Sequence, residues 1–117
     1  MTFRILSVKF LAMNDQLSKY FSALSNPIRL QIFCFVARKS EGSAPENKQD
    51  TCVCEIADDL KIPQPTVSNH LKKLESVGLV KSVKVGTKSY QYVTKDASKN
   101  ILDFANFMNE QAKKHPY

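Results

Sequence analysis

The most informative segment for the fold is Pro63-Gln64-Pro65-Thr66-Val67-Ser68-Asn69-His70-Leu71-Lys72-Lys73-Leu74-Glu75-Ser76-Val77-Gly78-Leu79-Val80. Val67, Leu71 and Leu74 recur at the spacing of one face of a helix. Gly78 predicts the end of that helix, because glycine readily adopts the left-handed conformation that closes many helices. The segment is therefore predicted to be one helix that turns sharply into a strand.

A basic hairpin follows this helix directly. Apolar and polar residues alternate from Leu79 to Val85 and from Lys88 to Thr94, which predicts two half-buried strands joined at Gly86-Thr87. A helix followed at once by a short basic hairpin is typical of the winged variant of a helix-turn-helix. We therefore expect a protein that binds DNA.

The charge distribution supports this expectation. The chain of 117 residues has 17 Lys+Arg and 11 Asp+Glu, a formal net charge of +6. Residues 61–95 contain seven lysines and one acid, Glu75, whereas the rest of the chain is balanced at ten basic and ten acidic residues. A local field of one sign is what binding to a polyanion requires. A merely solvated lysine-rich face is the alternative, but it does not explain a neutral remainder.

Three helices are predicted before this unit. They extend from Asn14 to a stop at Ser25-Asn26, from Pro27 to about Arg38, and from Thr51 to Leu60. The second should be capped by Asn26 and buried, because it is apolar nearly all round. Residues 39–50 contain glycine, serine, proline and asparagine among charges and are predicted to be a loop.

A final helix is predicted from Asp96 to about Lys114. Its wide apolar stripe consists of Ile101, Leu102, Phe104, Ala105, Phe107, Met108 and Ala112. Such a stripe is more than a terminal helix needs to cover a small domain, so we expect it to form the interface of a homodimer together with the first helix. The alternative is that it simply caps the core.

Together these elements predict a mainly α fold with a small β-hairpin, a homodimeric winged helix-turn-helix in the order α-α-α-α-β-β-α. Residues 13–117 are expected to be one domain, preceded by an N-terminal arm of undecided role at residues 1–12. No apolar run approaches the roughly 18 residues that span a bilayer, which predicts a cytoplasmic protein with no membrane partner. Enzyme activity and an organic cofactor are not expected, because no nucleophile–base pair, carboxylate pair or glycine-rich phosphate loop is present.

Candidate DNA contacts follow from the predicted docking of the second helix of the helix-turn-helix in the major groove. The candidates for base edges are Gln64, Thr66, Ser68 and Asn69, those for phosphates are Lys72 and Lys73, and those on the hairpin are Lys84, Thr87 and Lys88. Helix capping is the alternative role for at least one of Thr66 and Ser68. His70 lies beside the apolar face and is interpreted as a packed, hydrogen-bonded residue.

Several motifs together resemble the ArsR/SmtB family. They are Asn26-Pro27-Ile28-Arg29-Leu30, Thr51-Cys52-Val53-Cys54-Glu55-Ile56-Ala57, Val67-Ser68-Asn69-His70-Leu71-Lys72-Lys73-Leu74, Gly78-Leu79-Val80, and a Gly86 hairpin that ends near Tyr92. The resemblance covers about residues 14–112. It implies a homodimeric winged-helix repressor that binds double-stranded DNA at an inverted repeat and leaves it when a metal ion, metalloid or other inducer binds.

The pair Cys52 and Cys54 is the second informative motif. Residues two apart in a regular helix point about 200° away from each other, so both thiols can hold one ion only if the first turn is extended or distorted. A helix N-terminus should also lower a thiol pKa. Cysteine–valine–cysteine resembles the arsenic-responsive branch, which implies trivalent arsenic or antimony, or another thiophilic ion, as inducer.

The sequence does not decide which group would be a third ligand for the ion. The position where that branch often has a third cysteine is Ala57, so Cys34 is a candidate ligand, with a buried core thiol as the alternative. A site of two cysteines completed by a small thiol or hydroxide is a further alternative. A zinc site on the last helix is not expected, because no histidine follows two residues after Asp103.

Other functions stay open. An odd number of cysteines in a basic chain argues against a disulfide framework, but Cys34 could pair with Cys52 or Cys54, or a thiolate could react with an oxidant or persulfide. The cysteines could also be structural. A winged helix that binds only other proteins is a further alternative.

Overall fold

The computed structural model of the chain describes residues 14–39 and 51–117, which form helices and one antiparallel hairpin. The elements are α1 (residues 14–23), α2 (Pro27–Lys39), α3 (Val53–Leu60), α4 (Gln64–Ser76), β1 (Val80–Val85), β2 (Lys88–Val93) and α5 (Lys95–Ala112). This order confirms the predicted α-α-α-α-β-β-α arrangement. The predicted arm at residues 1–12 and residues 40–50 of the predicted loop lie outside the described residues.

One apolar core joins the helix-turn-helix to the rest of the domain. Its fully buried members include Tyr20 of α1, Ile32 of α2, Ile56 of α3 and Leu74 of α4. Each is on the face of its helix that periodicity predicts to be apolar. The core fixes α4 against α2 and α3, so its opposite face is left for solvent.

The junction between α4 and β1 is a Schellman motif. Gly78 has φ of +86°, its N–H donates to the carbonyl of Glu75, and the N–H of Leu79 donates to the carbonyl of Leu74. Leu74 and Leu79 are both fully buried, as the hydrophobic contact of this motif requires. The predicted left-handed end at Gly78 is confirmed, and it aims the chain directly into the hairpin.

The start of α2 also agrees with the sequence. Asn26 Oδ1 accepts a hydrogen bond from the Arg29 backbone N–H at 3.0 Å, and Pro27 is the first helical residue. The predicted all-round burial of α2 is wrong, because Ile28 and Leu30 are each 42% exposed. The buried residues Ile32, Phe35 and Val36 belong to the core of the protomer, and Phe33 packs against it while partly exposed.

Helix α5 uses little of its apolar stripe within the protomer. Ala97 is its one buried residue, Phe104 packs against Phe21 of α1 with ring centroids 5.3 Å apart, and Leu102 and Met108 remain 58% and 48% exposed. Capping of the core accounts for part of this stripe, since Ile101 and Phe104 pack against it, and leaves the rest exposed. Among the described residues, no helix is both long and apolar enough to cross a membrane.

Candidate nucleic-acid interface and ion site

The outer face of α4 carries most of the predicted base and phosphate contacts. Gln64, Asn69, Lys72 and Lys73 are exposed, and they lie opposite the buried face with Val67, Leu71 and Leu74. Because the buried face is anchored in the core, the polar side chains project from a rigid helix. This is the geometry that reading of a major groove requires.

Thr66 and Ser68 lie in the first two turns of α4 and are half-buried. The expectation that capping occupies at least one of them is wrong. The cap residue is Pro63, Pro65 lies in the first turn, and no side-chain cap bond is formed at this end of the described helix. Proline starts the helix without a capping side chain because its ring presets φ and it lacks an N–H.

His70 is packed and hydrogen-bonded, as its place beside the apolar face predicts. Its Nδ1 accepts a hydrogen bond from Arg29 Nε at 3.4 Å, and Arg29 Nη1 donates to the Ala23 carbonyl at 2.9 Å. Burial lowers the pKa of His70, and the Arg29 guanidinium adds to the effect. A neutral imidazole therefore ties α4 to α2 and is not among the candidate DNA contacts.

The positive surface of the helix extends onto the hairpin, which we call the wing (β1, β2 and their turn). All seven lysines of residues 61–95 are exposed. Lys84 and Lys88 flank the exposed turn that holds Thr87. Ion pairs between described residues lie elsewhere, at Lys19–Asp15 and Lys113–Glu110, so no described acid forms an ion pair with the lysines of this surface.

The two cysteine sulfurs meet at the start of α3. Cys52 Sγ and Cys54 Sγ are 3.0 Å apart. The prediction of a helix from Thr51 is wrong, because α3 begins at Val53 and Cys52 is its extended cap residue with φ of −73° and ψ of 157°. The extended residue removes the 200° separation of a regular helix, so the thiols converge without any distortion of α3.

The neighbouring donor is a carboxylate, which the sequence patterns did not indicate. Ligand atoms of Cys52, Cys54 and Glu55 all lie within 4.8 Å of one another. Among the described residues, this is the one group of three or more Cys, His, Asp or Glu side chains whose ligand atoms lie this close. Cys34 is not part of the group. Its interpretation as a core thiol is also wrong, because it is exposed in a shallow pocket with Gln31, Phe35, Arg38 and Leu60.

The predicted low thiol pKa is wrong for Cys52. Burial raises the pKa of Cys52, and so does its hydrogen bond with Cys54. The backbone N–H of Glu55 at the helix start and the Lys88 ammonium act in the opposite direction, but they do not prevail. The thiol is therefore predominantly protonated near neutral pH, and ligation of a cation must displace its proton.

The chain just before the cysteines is joined to the wing. Cys52 forms an isolated antiparallel bridge with Tyr90 of β2, and the Gln91 N–H donates to both the carbonyl and the Oγ1 of Thr51, at 3.3 and 3.2 Å. Ser82 Oγ of β1 donates to Gln91 Oε1 at 2.7 Å. Thr51 and Gln91 are polar yet 0% and 2% exposed, which no sequence periodicity indicated.

A helix-turn-helix that continues into an antiparallel hairpin, with lysines exposed on both, defines a winged-helix protein of the DNA-binding class. Residues 46–82 match the family model described as bacterial regulatory protein, arsR family. An HTH-type transcriptional regulator of Methanocaldococcus jannaschii is 36% identical over 88 residues, which cover 75% of this chain and 89% of that protein. The chain belongs to the ArsR family and is a transcriptional regulator.

Two further similarities bear on this family membership. The cadmium resistance transcriptional regulatory protein CadC of Listeria innocua is 30% identical over 94 residues, 80% of this chain and 71% of that protein. The solution structure of the homodimeric winged helix-turn-helix DNA-binding domain of Mb0332 from Mycobacterium bovis has a TM-score of 0.61 and 26% identity. The match covers 92% of this chain and 91% of that one. The naming of the relatives as transcriptional regulators agrees with the expectation that this chain is not an enzyme.

Proposed function

We propose that the chain is a homodimeric repressor that binds operator DNA through α4 and the wing and leaves it when a thiophilic ion binds Cys52 and Cys54. The observation that carries the proposal is the 3.0 Å contact between the two sulfurs at the start of α3. Two thiols on one short segment, one of them buried, can chelate a soft ion with little ordering cost. The site lies in the helix that precedes the DNA-reading helix and beside a wing strand, so its occupation can affect DNA binding.

Trivalent arsenic or antimony is the first candidate inducer, because the cysteine–valine–cysteine motif supplies two convergent thiolates for a soft centre. A divalent cation such as cadmium or zinc is the second. Glu55 favours it, since a carboxylate within 4.8 Å of both sulfurs is a suitable third donor for a borderline cation. The similarity to a cadmium resistance regulator points in the same direction.

DNA recognition is proposed to be divided between base and phosphate contacts. Gln64, Thr66, Ser68 and Asn69 are the proposed base contacts, and Lys72, Lys73, Lys84, Thr87 and Lys88 are the proposed backbone contacts. A homodimer joined through α1 and α5 would present two copies of α4 to an inverted repeat. The exposed apolar side chains of α5 and the homodimeric relative support this assembly.

The first prediction tests the ion site. We expect the double variant Cys52→Ser, Cys54→Ser to bind promoter DNA with wild-type affinity, because neither side chain belongs to the proposed DNA surface, but to lose release by arsenite and by cadmium chloride. Fluorescence anisotropy of labelled promoter DNA, with and without each ion, measures both properties. Cys34→Ser is the matched control and should be released like the wild type, since its thiol lies outside the cysteine–glutamate group.

The outcomes separate the inducers and the alternatives. Loss of the cadmium response but not the arsenite response in Glu55→Gln would identify the carboxylate as a ligand for divalent ions. Release of wild-type protein by peroxide or persulfide, but by neither ion, would favour the thiol-redox regulator, against which the raised pKa of Cys52 argues. Negligible DNA affinity even at low salt would instead favour a protein-interaction module.

A further inference from the structure

The ion site and the wing share a small buried polar network. Thr51 precedes the ligand Cys52, and its carbonyl and hydroxyl both accept from the Gln91 N–H of β2. Gln91 Oε1 accepts in turn from Ser82 of β1, so one set of hydrogen bonds joins the cysteine segment to both wing strands. Hydrogen bonds between buried polar groups are costly to break, because a buried group left without a partner loses its hydration without compensation.

Ion binding requires the sulfurs of Cys52 and Cys54 to move apart. Two sulfurs that share one tetrahedral zinc ion, each about 2.3 Å from it, are about 3.8 Å apart. The sulfurs here are 3.0 Å apart, so Cys52 and Cys54 must separate. Cys54 belongs to α3, whereas the backbone of Cys52 is bridged to Tyr90 of β2. The part of this separation that the backbone takes up therefore acts between α3 and the wing.

The distal wing, from Lys84 to Lys88, is softer than α3 and α4, whereas Tyr90 and Gln91 beside the cysteines are buried. Helices α3 and α4 are held by fully buried Ile56, Val67 and Leu74. The distal wing consists of exposed residues from Lys84 to Lys88 around a two-residue turn. Elements with little buried apolar contact yield at a lower free energy than core helices. The same displacement should thus be expressed mainly in the wing.

We infer that Thr51, Gln91 and Ser82 are positioning residues that transmit occupation of the cysteine site to the wing. Release from DNA then follows chiefly from reorientation of the wing contacts Lys84 and Lys88, while α4 keeps its place in the core. This inference rests on the proposed function, because it assumes that Cys52 and Cys54 hold the inducing ion.

The direct test needs no DNA. Backbone amide spectra of the full chain are recorded with and without cadmium chloride, and again with arsenite. We expect the amides of Ser82 and Lys84, on the strand beyond β2, to change more than those of Asn69 and Lys72 on the outer face of α4. Changes confined to α3 and α4 would overturn the inference, even if the ion does release DNA.

Variants test the network itself. Thr51→Val removes the hydroxyl acceptor but keeps the carbonyl that accepts from Gln91, and Ser82→Ala removes the bond to Oε1. In both we expect ion affinity and ion-free DNA affinity to stay at the wild-type level. The factor by which the ion weakens DNA binding should be reduced by about twofold to thirtyfold. Ser89→Ala, also on the wing, is the control and should leave this factor unchanged.

Failure of the inference and failure of the proposed function can be told apart. If the wild type is not released by either ion, the proposed function fails. If the wild type is released and the two network variants are released to the same extent, only the inference fails. A fall in ion affinity in Thr51→Val would also contradict it, because Thr51 would then shape the site and not transmit its occupation.

Discussion

At the scale of single residues, Cys52 illustrates how burial can override a local electrostatic preference. Its place at a helix start suggested a lowered thiol pKa, but the side chain is 2% exposed and burial raises the pKa. The protonated thiol is the stable form because a buried thiolate loses its hydration. Cys52 is therefore poised to exchange its proton for a cation and is poorly suited to react as a thiolate.

The second prediction follows from this pKa shift. Because Cys52 must lose its proton on ligation, apparent cadmium affinity should rise with pH, by about tenfold per unit for this proton, up to the pKa of the thiol. Competition against a fluorescent chelator between pH 6 and pH 8 measures the slope. An affinity for cadmium that stays constant over this range would contradict a protonated site.

The third prediction concerns Gly78. Its φ of +86° is disfavoured for any residue with a Cβ, and a Cβ built there would meet no atom within 4 Å. Gly78→Ala should therefore lower the free energy of unfolding by about 1–2 kcal/mol through backbone strain alone. Urea unfolding measures the decrease. Gly78→Asn should cost less, since asparagine tolerates the left-handed region better, and equal costs for both variants would point to a cause other than φ.

At the scale of elements, α4 and the wing divide the proposed DNA contacts between a rigid and a softer support. Helix α4 carries exposed polar residues on one face and is buried in the core on the other. In the wing tip, every residue from Lys84 to Lys88 is exposed. Rigid placement suits base contacts, which depend on direction, and a softer hairpin suits phosphate contacts.

The fourth prediction tests the phosphate role of α4. Lys72→Ala and Lys73→Ala should each weaken DNA binding to all sequences and reduce the slope of log affinity against log salt by about 0.9 for every phosphate that is no longer neutralised. Anisotropy titrations at several salt concentrations give the slope. Lys113→Ala is the control, because this lysine lies beyond α5 and pairs with Glu110. Unchanged slopes for the α4 variants would place the DNA surface elsewhere.

At the scale of the whole molecule, the protomer leaves apolar surface that its own core does not cover. Leu102 and Met108 of α5 are among the most exposed apolar side chains of the described residues, and Phe21 of α1 is 41% exposed beside Phe104. Exposed apolar side chains on both α1 and α5 fit burial against a second copy, in which each residue would make its contact twice by symmetry.

The fifth prediction tests this interface. Leu102→Glu places two buried charges at the proposed dimer contact, so sedimentation should show a monomer, and DNA affinity should fall because only one α4 then binds. Val85→Glu is the control for association, since Val85 is an exposed apolar residue of the wing. A Leu102→Glu protein that remains dimeric would move the interface away from α5.

Local sequence was enough to predict the order of elements, the buried face of α4, the caps at Asn26 and Gly78, and the concentration of lysines on one unit. These features depend on spacing, backbone preference and charge, which are properties of neighbouring residues. The missed start of α3 at Val53 shows the limit of such patterns, because periodicity does not fix the terminal residue of a helix.

Which cysteines meet, and what they touch, depends on the tertiary structure. The extended Cys52 backbone is set by pairing with β2, a contact between residues 38 positions apart, and this pairing brings Cys54 and Glu55 to the same site while Cys34 stays outside it. Burial of Thr51 and Gln91 likewise depends on a wing that folds back on the chain before α3. Long-range backbone pairing of this kind leaves no periodic trace in either segment, which is why the site, unlike the fold, needed the structure.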